Sequence, residues 1–558
     1  MSIKKKLLVL ALCLMILAAT LLGIIWHMRH YEMIDLKFYP KDVGVLDLRG
    51  EKISVSHYEK IRRRLDAKTI LWDIPFQEQP YPQDTQTLTV TKLKESDLKT
   101  IGYFEMLKTV DARNCGEYDL LRKLQAQYPQ LQVRYEVPIG GRSYSQDAKS
   151  VRADGVTMEE LTLLQYLPAL TEVRVEGTAD AQVMEALKAL CQDRNADFLV
   201  VIGGKGWAQD TVQLELKDVT AEELQLLWLL PRLNKVHILD PRMEASLLLQ
   251  TVSALPDVTF TWEKEILGVP VSSDATRIDL MQAISEEGAR AYALAQKASI
   301  HGDRDEIPWL FAADSDYPLP DLSEKTAELI GQVEQALAYF PNVEQVEMTG
   351  ALLDNAAMAA FREAHREDCK VVWTVQCGGM IVRTDAPYFM PTKYHVYYFQ
   401  DDESENLKYC EDMVCVDVGH MSIKHVEWAA FMPKLEYLIL AHTDVRSIEP
   451  LRNCKKLKFL EVDWSAVKDF SPLLDCKGLE DLNLGNTYGN FEVIEEMTWL
   501  KNIWLIGCSR AAAYRINQAL GETSRVVVSG SATVDSGWRE LPNYYAMRDI
   551  MNMYYMEW

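Results

Sequence analysis

Three rhythms of apolar and polar residues run along this chain. The first is an uncharged, apolar stretch from Leu7 to Trp26, preceded by Lys4, Lys5 and Lys6. As a helix it would measure about 30 Å, the thickness of a bilayer's hydrocarbon core. It predicts a signal anchor over residues 1–30 that spans the membrane once through residues 7–26. The lysine cluster places the N-terminus on the cytoplasmic side and the bulk of the chain outside. A cleavable signal would carry a shorter apolar run ending in small residues. Here Ala18-Ala19-Thr20, the one such candidate, sits mid-run.

The second rhythm has a period of 22. Segments of the form L-x-x-L-x-L begin at Met413, Leu435, Leu457, Leu479 and Leu500, spaced 22, 22, 22 and 21. Two continue almost identically, through Val445, Ile448, Pro450, Leu451 and Cys454, then Val467, Phe470, Pro472, Leu473 and Cys476. One such segment says little, but five in phase predict stacked rungs. Each rung adds a short strand to a parallel sheet and buries leucines that it cannot bury alone. These segments resemble the leucine-rich repeat family, in the 22-residue class of internalin-like bacterial surface proteins. That family places Asn at the turn after the strand. Here the column holds Met421, Thr443, Ser465, Thr487 and Cys508.

The third rhythm is longer. Gln83-Asp84, Gln146-Asp147, Gln209-Asp210 and Ser273-Asp274 are spaced 63, 63 and 64, and Thr384-Asp385 follows after 111. Apolar strands and turns such as Gly140-Gly141, Gly203-Gly204 and Gly378-Gly379 precede most of them. The pattern predicts modules of strand, helix, strand, helix, strand and hairpin. The longer last interval predicts an insertion with an amphipathic helix around Thr326–Tyr339.

The expected architecture is therefore α/β: a leucine-rich-repeat-type solenoid with a parallel sheet, behind one N-terminal transmembrane helix. Its expected parts are residues 1–30 as anchor and 43–284 as degenerate modules. An insertion follows at 285–335, then a further module and connector at 336–412. Leucine-rich repeats occupy 413–508, and a C-terminal strand and cap region occupies 509–558. Tyr544, Tyr545, Met547, Met551, Met553, Tyr554, Tyr555, Met556 and Trp558 crowd the end, as expected of a helix capping the final rung of a solenoid.

Charge and cysteine content narrow the function. The formal net charge is −23, and all four basic residues of positions 1–30 lie beside or within the anchor, so the remainder is more acidic still. Such a surface repels nucleic acid. The ten cysteines form no CxxC pair and no zinc spacing, which predicts core thiols. A Cys454–Cys476 disulfide stays open, because the two share a column of adjacent rungs and disulfides persist outside the cell. No Walker loop, G-x-S-x-G or H-E-x-x-H is present. No catalytic, cofactor or metal residues are assigned. His420 and His442 share a column near Asp417, but two histidines in a repeat do not make a metal site.

What remains is surface. In an L-x-x-L-x-L strand the intervening residues face the concave side. They place Tyr437, Phe459, Glu461, Trp504 and Asp417 on that face, with His442 and Trp464 just past the strand. Exposed aromatic rings rimmed by acids predict a recognition face for a protein or glycan. The expected function is a non-catalytic binding module, anchored in a bacterial membrane and displayed at the cell surface or in the periplasm. The alternatives are an assembly scaffold at the membrane and, more remotely, an enzyme with its site in the 285–335 insertion.

Overall fold

A computed structural model describes residues 3–65, 69–177, 180–298, 310–313, 318–531 and 533–552. Helix α1 (Ile3–His30) opens the chain, and none of its side chains is buried. It is long and apolar enough to cross a membrane. The chain then forms two compact units, one of residues 1–213 and 220–233, the other of residues 214–219 and 234–558. Their border falls inside the 43–284 stretch.

In the first unit, α1 runs straight into a hairpin of β1 (Tyr31–Ile34) and β2 (Lys37–Pro40). Three small sheets and a separate hairpin follow. Val45–Leu48 lies parallel to Thr69–Phe76, which turns back as Gln79–Pro82. Thr87–Thr89, Thr109–Asp111 and Gln132–Arg134 are parallel, followed by the hairpin of Glu136–Ile139 and Arg142–Ser145. Ser150–Arg152, Glu172–Val175 and Asp197–Ile202 are parallel, with Lys205–Ala208 folded back on the last. Helices lie between the strands. Two begin with reciprocal caps, Thr157 with Glu160 and Thr220 with Glu223, which satisfy backbone donors that a helix start leaves open. At the tips, Gly140 and Gly141 both take positive φ (56° and 69°), the geometry of a two-residue turn matching strand twist.

The second unit repeats this plan and then changes it. Lys235–Leu239 pairs in parallel with Thr259–Ile266, which folds back as Val269–Ser272. Next, Arg277–Asp279, Gln345–Met348 and Lys370–Cys377 are parallel, and Met380–Arg383 folds back. Part of the 285–335 stretch joins this sheet: Leu310–Ala312 pairs antiparallel with Met380–Arg383. Tyr292, from the helix Glu286–Ala298, packs with Phe311, Leu319 and Ile381. Its buried hydroxyl meets Thr374 Oγ1 at 2.8 Å. The helix Thr326–Leu337 follows. Below, the Arg383 guanidinium bridges the buried carboxylates of Glu347 and Asp385.

The 63-residue rhythm has a physical origin visible in both units. In the modules of Gln83, Gln146, Ser273 and Thr384 a side chain of the column satisfies a backbone N–H eleven residues earlier, on the strand entering the hairpin. Trp72 N donates to Gln83 Oε1 (3.3 Å) and Tyr135 N to Gln146 Oε1 (2.7 Å). Trp262 N donates to Ser273 Oγ and Trp373 N to Thr384 Oγ1, each at 3.1 Å. A buried N–H left unpaired would cost about 1–3 kcal/mol, so an acceptor side chain at that position stabilises the strand entering the hairpin.

From Tyr388 onward the plan changes to seven parallel strands: Tyr388–Phe389, Cys415–Asp417, Tyr437–Ile439, Phe459–Glu461, Asp481–Asn483, Asn502–Trp504 and Arg525–Val527. Val416, Leu438, Leu460, Leu482 and Ile503 stand in one register and are fully buried. The return segments are single 3-10 turns, such as Glu449–Asn453 and Ser471–Asp475, each with Pro near its start. Proline has no N–H to lose there, and its fixed φ suits a tight first turn. The substituted Asn column is satisfied unevenly. Thr443 and Thr487 donate to carbonyls of their own rungs, Leu440 (2.7 Å) and Leu484 (2.6 Å), and Cys508 to Leu484 of the rung before. The Ser465 hydroxyl is buried without a partner. Cys454 and Cys476 are free thiols, donating to the carbonyls of Ala429 (3.3 Å) and Leu451 (3.2 Å).

Candidate binding face

The concave face of these rungs is not bare. After the last strand the chain folds back over it through a 3-10 turn, Trp538–Glu540, and a helix, Pro542–Ile550. Trp538 is completely buried. Its ring lies 4.6 Å from Phe459 and 5.1 Å from Trp504, and its Nε1 donates to Glu461 Oε2 at 2.6 Å. Tyr544 closes over Phe459 from the helix, with ring centroids 6.3 Å apart. Asn543 Nδ2 donates to Asp481 Oδ2 at 2.9 Å, and Lys393 Nζ donates to the Met551 carbonyl at the helix end.

Two expectations are corrected here. Tyr437, Phe459, Glu461 and Trp504 do face the concave side, but they are buried and not an exposed strip. For Phe459, Trp504 and Glu461 the reason is the fold-back, which covers the two rings and gives Glu461 a donor. The described part of the aromatic end, Tyr544 to Met551, does not cap the final rung either. The helix Arg510–Leu520 packs there, burying Ile516 and Leu520, while Tyr544, Met547 and Met551 are spent on the concave face. Met553 to Trp558 lie outside the described residues.

The covered face is acidic. Burial pushes the Glu461 carboxyl well above the usual range, with nearby Asp463 adding to the effect. Burial of its carboxyl raises Asp417 to about 6, although the residue's edge still meets solvent. Burial also raises Asp463. The half-buried Arg539 guanidinium offsets part of this charge and donates to the Tyr544 hydroxyl at 2.7 Å. Trp538, Arg539 and Asn543 are thus the contacts that sequence reasoning missed.

The turn column just past the strands has the opposite fate. His420, His442 and Trp464 occupy it in successive rungs, all exposed. Each takes a left-handed φ (63°, 55° and 55°), as do Asn486 and Gly507 in the next two rungs. Each backbone N–H donates across to the next rung: His420 to Ala441, His442 to Asp463 and Trp464 to Gly485, at 2.8, 2.9 and 3.0 Å. Those bonds fix the side chains at rung spacing, so the rings stack. His420 and His442 centroids are 4.5 Å apart at 12°, and His442 and Trp464 are 5.8 Å apart at 17°. Below them, Asp463 Oδ2 stands 3.9 Å from His442 Nε2, and the buried Oδ1 has no hydrogen-bond partner. Partial burial and its His442 neighbour lower the His420 pKa. Of the seven residues expected on the recognition face, His442 and Trp464 are exposed and Asp417 is partly so.

Among the described residues no group of three or more His, Cys, Asp or Glu side chains is placed to hold a metal ion.

These rungs form a leucine-rich-repeat-type solenoid. The assignment stands on their spacing, register and buried leucines. Solved structures of similar type include an internalin (inlF) from Listeria monocytogenes, 13% identical, TM-score 0.23, matched over 74% of this chain and 95% of its own. An internalin C2 (inlC2) from the same organism is 14% identical at TM-score 0.23, over 43% of this chain and 92% of its own. The leucine-rich repeat protein LIC12759 from Leptospira interrogans is 11% identical at TM-score 0.21, over 87% and 90%. No family model and no curated protein matches the chain.

Proposed function

We propose that this chain is a membrane-anchored, extracytoplasmic leucine-rich repeat protein. On this reading it acts without catalysis, as a binding module for a protein or glycan partner. The observation that carries this reading is the exposed ring stack of His420, His442 and Trp464, whose backbone is fixed by rung-to-rung hydrogen bonds. Bulky residues in left-handed backbone cost on the order of 1 kcal/mol each, and such strain clusters at functional sites. Flat, exposed rings stacked at rung spacing suit recognition of a partner. The partner would meet the rim, with Asp417 at its inner margin, because residues 538–551 already hold the strand columns. Helix α1 would anchor the module, N-terminus inside.

A capture experiment tests this. The ectodomain, residues 31–558, is exposed to native surface extract and to a glycan array, beside a His442→Ala/Trp464→Ala variant. Capture of a defined partner by wild type and its loss in the still-folded variant is the expected result. Equal capture by both would overturn the rim assignment.

A further inference from the structure

We infer that the hairpin of β1 and β2 is a lipid-contacting platform, lying in the headgroup layer of the leaflet where α1 leaves the membrane. The inference rests on reading α1 as a membrane span.

Length comes first. Twenty-eight helical residues extend about 42 Å, beyond the ~30 Å hydrocarbon core, so one end must enter the interfacial layer. The lysines occupy the N-terminal end, and Trp26, His27, His30 and Tyr31 the other. Amphipathic rings of this kind settle at a membrane–water boundary.

The hairpin has no linker by which to leave that boundary. β1 starts one residue after α1 ends, and β2 is tied back to the helix. Lys41 N donates to the His30 carbonyl at 2.8 Å, and Lys41 Nζ donates to the Met28 carbonyl at 2.7 Å. The His27 ring packs on Tyr31 and on Phe38, both at 4.6 Å.

The two faces of the hairpin differ sharply. Alternation and register put Ile34 and Tyr39 on one side, where they are buried and Tyr39 meets His57 at 2.8 Å. Met33 and Phe38 pair across the other side and are 53% and 52% exposed, with Leu36 at the tip 89% exposed. Apolar side chains gathered on an exposed face commonly mark a partner or membrane contact. A cleft of about 860 Å³ separates this face from Thr20, Gly23 and Ile24 of α1. Gly23 leaves open space there, enough for lipid chains to enter beside the helix. The contact is apolar, so it needs no anionic lipid, and the acidic body of the protein does not oppose it.

The test uses the full chain in vesicles of zwitterionic phosphatidylcholine. An environment-sensitive fluorophore is placed through Leu36→Cys, Phe38→Cys, Leu14→Cys or Met158→Cys, each in a Cys13→Ser background. Quenching is then read with lipids carrying a nitroxide at defined depths. Probes at 36 and 38 are expected to lose about half their fluorescence to a shallow nitroxide, as groups seated in the interfacial layer do. The probe at 14 should respond to a deep nitroxide and the probe at 158 to neither. Quenching at 14 without quenching at 36 and 38 would overturn the platform and leave the span intact. Absence of quenching at 14 would overturn both.

Discussion

The strand columns and the turn column of the same rungs carry similar side chains and meet opposite environments. Phe459 and Trp504 are dry, while Trp464, five residues beyond Phe459 on the same rung, is more than half exposed. Nothing in the local sequence of a rung distinguishes them. The difference is made by residues 536–551, which lie on the strands and stop short of the turns. A concave face lined with rings is therefore not in itself a binding face. It is one only where the chain has not already filled it.

The largest way to break this contrast is to remove the filler. Trp538→Ala leaves a cavity between Phe459, Trp504 and Glu461, and should destabilise the second unit by about 3–5 kcal/mol in denaturant unfolding. It should also make Trp504 accessible. An unchanged midpoint would mean that the fold-back contributes nothing.

Protonation gives the next effect. The Glu461 carboxyl has its pKa raised in the folded chain above its ordinary 4.5, to about 8. A raised acid binds its proton more tightly when folded, so its stabilising effect is complete below pH 4.5. That effect fades as pH climbs to 8. Asp417, raised to about 6, acts in the same direction over the lower part of that window. The segment should hold more firmly at pH 5 than at pH 8, by on the order of 2 kcal/mol. Glu461→Gln, which retains an acceptor for Trp538, should flatten much of that slope. A wild-type profile that rises with pH would contradict the buried-acid account.

The smallest expected effect sharpens the open side. Trp464→Asn places a residue tolerant of left-handed backbone where Asn486 already stands one rung on. Stability should change by less than ~1 kcal/mol, and upward, while partner capture falls. Loss of stability instead would mark Trp464 as a packing residue.

The repeat fold was legible because it is written five times. Each rung must bury the same inward leucines, so Leu438, Leu460 and Leu482 appear at fixed spacing whatever lies outside them. The spacing of Gln83, Gln146, Ser273 and Thr384 was equally visible, but its cause was not, since a side chain reaching a backbone N–H leaves no pattern of its own. The fate of the candidate residues was hidden for a related reason. Trp538 and Glu461 are 77 residues apart, and a single long-range contact has no period. The aromatic end pointed to a cap without saying which surface it would cover.

Covalent footprinting of the tryptophans in the native ectodomain, read by mass spectrometry, tests the covered-versus-open contrast most directly. Trp464 should label readily, with Trp504 and Trp538 protected until the protein unfolds. Equal labelling of Trp464 and Trp504 in the native state would contradict it, and would return the strand columns to the list of open surfaces.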